Sequence, residues 1–115
     1  MTPTLIFLAI FSVNAMADLP GQALYDSKCS KCHGKTGGGD GKSASKLDTK
    51  PTAFDDGKAF KDKKGLALSP EARMKKVIRE GGEAAKMSKE MDSYPDLSDQ
   101  QINDLFDVLK SFAKE

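Results

Sequence analysis

Two cysteines and one histidine stand within five residues near the start of the chain, and the sequence contains no others of either type: Cys29, Cys32 and His33. Cysteines three positions apart lie on one face of a helical turn, so both sulfurs can reach one planar group. The spacing Cys-x-x-Cys-His is the attachment pattern of c-type haem. It predicts one haem c per chain, bound covalently through Cys29 and Cys32, with its iron ligated by His33.

Other uses of these three residues fit the sequence less well. A structural zinc site takes four ligands, whereas this chain supplies only two cysteines and one histidine. A thioredoxin-like Cys-x-x-Cys accompanies a βαβ pattern, and no such pattern is visible. A disulfide between positions i and i+3 of a helix has unfavourable geometry, although an exported protein could contain one.

The first residues are expected to direct export rather than to join the fold. Leu5–Val13 is an apolar run, and small residues at Ala15 and Ala17 form a cleavage pattern. The run is shorter than the roughly 20 residues needed to span a bilayer. Residues 1–17 are therefore predicted to be a signal peptide cleaved after Ala17, with an uncleaved N-terminal anchor as the alternative. Residues 18–115 would form one domain, soluble in the periplasm.

The net charge of +1 favours neither a nucleic acid nor a membrane as partner. The charges are nevertheless segregated along the chain. Residues 28–64 contain ten lysines and five acids, whereas residues 92–115 contain six acids and two lysines. One part of the sequence is basic and the end is acidic.

The secondary-structure signals are helical, and no segment alternates convincingly as a strand would. Residues 19–31 are expected to form a short helix, and residues 34–68 read as loops with one short helix at most. Ser69-Pro70-Glu71 predicts a helix start, and Gly81-Gly82 predicts its end.

A second helix start is predicted at residues 98–101, which carry a capping-box pattern. The helix that follows presents an apolar stripe, formed by Ile102, Leu105, Phe106, Leu109 and Phe112. We therefore expect an all-α domain of three or four short helices with long loops. Loops of this length in a compact domain need something to organise them, and a haem would do so.

The chain resembles the class I cytochrome c family over nearly all of residues 18–115. Its N-terminal part matches the helix and attachment site of the family at Gly21, Tyr25, Cys29, Cys32, His33 and Gly34. The Gly-rich loop matches at residues 37–41, Pro51 and Phe54. The ligand loop and last helix match at Gly81, Gly82, Met91, Tyr94, residues 97–98 and residues 102–109. The resemblance implies a cytochrome c-like fold with crossing terminal helices and His–Met ligation of the iron.

Three methionines remain once residues 1–17 are set aside. Met74 lies on the apolar face of the middle helix, where packing is its expected role. Met87 and Met91 both lie between the last two helices, where a distal ligand loop is expected. The resemblance favours Met91, three residues before Tyr94, as the distal ligand, and implies that Met87 contacts the haem face. A site with neither methionine bound is the remaining alternative.

The resemblance further implies a single-electron carrier rather than an enzyme, acting as a monomer between redox protein partners. A haem module that binds or senses a diatomic ligand is the alternative function, and a thiol–disulfide enzyme without haem is a third. The segments around the predicted ligands also carry lysines: Lys28, Lys31, Lys35, Lys86 and Lys89. They are expected either to form a docking ring around the haem edge or only to keep the protein in solution.

Overall fold

The computed structural model describes residues 18–114, and the predicted signal peptide lies outside them. The described chain forms four α-helices: α1 (Gln22–Lys28), α2 (Ser30–His33), α3 (Pro70–Glu80) and α4 (Asp99–Phe112). Two 3-10 turns, Ala44–Lys46 and Lys58–Phe60, lie in the long segment between α2 and α3. No residue from 18 to 114 forms a strand, and the all-α prediction is confirmed.

The first predicted helix is present, but it is divided in two. Cys29 has a φ of −113° and ψ of −33°, away from regular helical values, so α1 ends there and α2 begins at Ser30. Its amide still donates to the carbonyl of Tyr25 at 2.8 Å. The helical path then continues to His33, two residues past the predicted end at Lys31, and stops at Gly34, whose φ is 89°.

The local start and stop signals of α3 are confirmed. The Ser69 hydroxyl accepts a hydrogen bond from the amide of Ala72 at 3.2 Å, with Pro70 in the first turn. The helix ends at Gly81, whose φ of 86° is one that glycine adopts without strain.

The capping box of α4 is also present in full. The Ser98 hydroxyl accepts from the amide of Gln101 at 3.1 Å, and the Gln101 side chain accepts from the amide of Ser98 at 2.9 Å. Four residues of the predicted stripe are buried, and Phe112 is half-buried. Val108, which is fully buried, extends the apolar face beyond the predicted stripe.

The core lies where α1 packs on α4, and α3 packs on α4 beside it. A side chain at Gly21 would place its Cβ 2.5 Å from the carbonyl oxygen of Asp104, so only glycine allows this approach. Tyr25 is completely buried, and its ring centroid lies 4.9 Å from that of Phe112. The end of α1, which Cys29 follows directly, is thereby held against the helix with the most buried residues in the described range 18–114.

Candidate haem site

The three residues of the Cys-x-x-Cys-His motif lie on one tight turn. Cys29 joins α1 to α2, and Cys32 and His33 form the last residues of α2. Both thiols are free and half-buried. Burial raises the pKa of the Cys29 thiol to about 11, an effect that nearby Lys28 opposes. The structure therefore presents two free thiols on the same turn as one imidazole.

The Gly-rich loop that follows bonds back onto this turn. The amide of Gly39 donates to the carbonyl of His33 at 2.7 Å, and that of Gly41 donates to Cys32 at 3.1 Å. Ser43 donates in the same way to Lys31 at 2.8 Å. A Cβ at Gly41 would collide with the Lys31 carbonyl, so the loop lies this close only because residue 41 is glycine. Carbonyls left open at the end of α2 are satisfied by these amides.

The imidazole of His33 is oriented by a backbone carbonyl. Its Nδ1 lies 2.9 Å from the carbonyl oxygen of Thr52. Because a carbonyl oxygen only accepts, Nδ1 must carry the proton, and the lone pair is then on Nε2. Burial lowers the pKa of His33 and favours this neutral ring, although the Thr52 carbonyl opposes the shift. A neutral imidazole with a free Nε2 and a bonded Nδ1 is a well-prepared metal ligand.

One aromatic ring packs on this histidine, and a second aromatic residue bonds to the glycine that follows it. The ring of Phe54 lies 5.0 Å from the His33 ring between centroids, and Phe54 is itself buried. The Tyr25 hydroxyl donates to the carbonyl of Gly34 at 2.6 Å. Burial raises the pKa of Tyr25, so the phenol stays protonated and remains a donor. The ring of His33 and the residue after it are thus both held by buried aromatic residues.

The two candidate methionines of the segment between α3 and α4 lie in different environments. Met91 is half-buried and packs against the hydrophobic core, whereas Met87 is 57% exposed. The segment is folded back on itself, since Gly82 donates to the carbonyl of Met91 at 3.1 Å and Met87 donates to that of Gly82 at 2.7 Å. Met74 packs against the core from α3, the position expected for it.

Tyr94 connects the segment of Met91 to the end of α1. Its hydroxyl donates to the carbonyl of Lys28 at 3.2 Å, and the Lys28 ammonium lies 5.5 Å from the centre of its ring. Its amide donates to the carbonyl of Ile78 at 2.9 Å. The phenol therefore joins the Met91 segment to the residue before Cys29, while its own backbone is bonded to α3.

Sequence reasoning missed two contacts of this region. The carbonyl of Thr52 orients His33, and the carboxylate of Glu90 accepts from the amides of Asp48 and Thr49. The first is a backbone atom and leaves no signature in the residue type. The second joins positions more than forty residues apart, with separations of 41 and 42.

Two thiols on one turn, an imidazole with a free nitrogen and a thioether packed on the core are donors suited to covalent haem. The Cytochrome c family model matches residues 19–113, and the chain belongs to the cytochrome c family. It is a c-type cytochrome that carries covalently bound haem c with its iron.

A solved structure shares this fold. A chain of the Kuenenia stuttgartiensis reducing HAO-like protein complex Kustc0457/Kustc0458 matches with a TM-score of 0.65 and 28% sequence identity. The match covers 81% of this chain and 41% of that chain, so this chain spans about two fifths of the neighbour's length. None of the curated proteins is a significant match. No helix within residues 18–114 is long and apolar enough to cross a membrane.

The two tyrosines provide a matched test of how the attachment region is held. Tyr25→Phe removes the hydroxyl that donates to the buried Gly34 carbonyl and leaves that carbonyl with the longer bond from the Gly37 amide, so we expect a loss of about 1–1.5 kcal/mol in the free energy of unfolding. Tyr94→Phe removes a longer bond at a half-exposed position and should cost less than about 1 kcal/mol. Chemical denaturation of the holoproteins measures both. An equal or larger loss of stability for Tyr94→Phe would contradict the stronger contribution expected of the Tyr25 hydroxyl.

Proposed function

We propose that this protein is an exported single-electron carrier whose haem is attached to Cys29 and Cys32 and ligated by His33 and Met91. The observation that carries the proposal is the hydrogen bond from His33 Nδ1 to the Thr52 carbonyl, because it leaves Nε2 free beside the two thiols. The partly buried position of Met91 supports its choice over the exposed Met87. The other line of support is the membership of the cytochrome c family.

The residues in this proposal have separate roles. The bound haem supplies the ferric–ferrous couple. Cys29 and Cys32 hold it covalently, and His33 provides a nitrogen ligand whose orientation is set by Thr52. The soft, neutral thioether of Met91 favours ferrous iron and so raises the reduction potential. Ligation by His33 and Met91 would keep exogenous ligands from the iron, and the chemistry that the haem would then supply is outer-sphere electron transfer.

The cellular setting is part of the same proposal. Residues 1–17 act as a signal peptide, and residues 18–115 work in the periplasm as a soluble monomer that is not itself an enzyme. The similar Kuenenia stuttgartiensis chain is part of a reducing HAO-like protein complex and is longer than this one. We infer that this domain exchanges electrons with protein partners, whose own sites carry out any substrate chemistry.

Haem attachment is tested by the mass of the protein from its export compartment. The wild-type protein should carry the mass of one covalent haem. Cys29→Ser and Cys32→Ser should each retain at most one thioether and lose most of the stable holoprotein. Ser30→Ala is the matched control, because it changes the same turn but only removes a bond to the Asp26 carbonyl. A wild-type mass without haem would overturn the attachment.

The distal ligand is tested by comparing the two methionines of one segment. Met91→Ala should lower the reduction potential by on the order of 0.1 V and allow CO to bind the reduced protein. Met87→Ala should do neither, since that side chain is 57% exposed. Potentiometry and CO difference spectra provide both readouts. The opposite pattern would identify Met87 as the ligand. CO binding by the wild-type protein would favour the alternative function of sensing a diatomic ligand.

Partner docking is proposed to use the lysines around the attachment turn and the Met91 segment. All five are exposed: Lys28, Lys31, Lys35, Lys86 and Lys89. Positive charge around a haem edge would steer an anionic partner surface towards it and accelerate association. The exposure of these lysines suits this role, although Lys28 also lies over the ring of Tyr94.

Charge reversal tests this docking surface. Lys31→Glu and Lys89→Glu should each slow reduction by the natural partner about threefold to tenfold at low salt. The difference should shrink as salt rises, because exposed charges are screened over about 8–10 Å at physiological ionic strength. Lys110→Glu, on α4, is the control with the same change in charge. If the reduction rate measured by stopped flow responds neither to salt nor to charge reversal, these lysines only keep the protein in solution.

A further inference from the structure

Glu90 makes an unusual pair of hydrogen bonds immediately before Met91. Its Oε2 accepts from the amide of Asp48 and its Oε1 accepts from the amide of Thr49, each at 3.0 Å. Each carboxylate oxygen therefore accepts a hydrogen bond from one of two consecutive backbone amides. Such bonds to an ionised acceptor are stronger than neutral ones, and two of them define the orientation of the carboxylate.

The amides that Glu90 holds belong to the segment that also orients His33. Asp48 and Thr49 bind Glu90, and three residues after Thr49 the carbonyl of Thr52 accepts from His33 Nδ1 at 2.9 Å. Residues 48–52, which we call the bridging segment, thus bond to the proximal ligand at one end. At the other end they bond to the residue next to the proposed distal ligand.

The backbone around Met91 has a second attachment on the side of α3. The Met91 carbonyl accepts from the amide of Gly82 at 3.1 Å, and the amide of Glu90 donates to the Ser88 hydroxyl at 3.2 Å. A Cβ at Gly82 would collide with the Ser88 carbonyl, so this fold of the segment depends on glycine. Met91 therefore lies between a bond to the end of α3 and the bonds of Glu90 to the bridging segment.

We propose that Glu90 is a positioning residue for the distal ligand: its carboxylate holds the Met91 segment to the bridging segment and so keeps the thioether at the iron. The proposal rests on the proposed ligation by Met91. Loss of the carboxylate would free one side of the segment while the Gly82 bond stays in place. The thioether would then leave the iron more often, and the unligated state would be open to CO.

Two variants and a matched control test the role of Glu90. In Glu90→Ala both bonds are lost, so amide exchange at Asp48 and Thr49 should rise about tenfold in the reduced holoprotein. CO binding should accelerate by a comparable factor, about tenfold, because it requires the thioether to leave. Glu90→Gln, which has one acceptor oxygen, should show smaller changes in both readouts. Glu83→Ala is the control, since Glu83 is an exposed acid in the same segment and takes no part in the bonds to Asp48 and Thr49.

The same measurements in a Met91→Ala background separate the two hypotheses. There, Glu90→Ala should still accelerate amide exchange at Asp48 and Thr49, yet should leave the CO rate unchanged. If wild-type protein and Glu90→Ala exclude CO equally, the proposed role of Glu90 is overturned, while Met91 ligation is not. A CO rate that rises equally in the Met91→Ala background would also overturn that role, because Glu90 would then control access. Wild-type protein that binds CO as readily as Met91→Ala would overturn Met91 ligation itself.

Discussion

The hydrogen bond from His33 Nδ1 to the carbonyl of Thr52 is the interaction on which the site depends. It determines the tautomer, the direction of the ring and the availability of Nε2, none of which the covalent attachment of Cys29 and Cys32 would determine alone. Burial of His33 acts in the same sense, because it favours the neutral ring over the cation. As the proposed iron ligand, His33 would already have the tautomer and ring orientation that ligation through Nε2 requires.

The packing of the helical core holds the chain around His33 and so supports its hydrogen bond to Thr52. Tyr25 is fully buried between α1 and α4, and its hydroxyl reaches the Gly34 carbonyl directly after the histidine. Gly21 allows α1 to approach α4 closely, and Phe54 packs on the imidazole from the loop side. Small domains bury a limited fraction of their surface, so a large apolar cofactor contributes core that the chain alone does not supply.

The bridging segment gives the two sides of the site a common support. It accepts from His33 through Thr52 and donates to Glu90 through Asp48 and Thr49. Displacement of these five residues would therefore affect both proposed axial ligands together. An electron carrier benefits from such a connection, because a change of ligation at either side would alter the reduction potential. Tyr94 adds a further tie, from the Met91 segment to the residue before Cys29.

Local patterns in the sequence determined much of this protein. The Cys-x-x-Cys-His motif, the N-cap at Ser69 and the capping box at Ser98 each depend on neighbours within five residues, and the last two are confirmed in the structure. The family and the all-α class also followed from the sequence, whereas the two attachment cysteines and the two iron ligands stay predictions. Tertiary structure alone decided the break of the first helix at Cys29, the burial of Met91 relative to Met87, and the bonds of Thr52 and Glu90. The physical reason is that these features join residues distant in the chain, often through backbone atoms that every residue type carries.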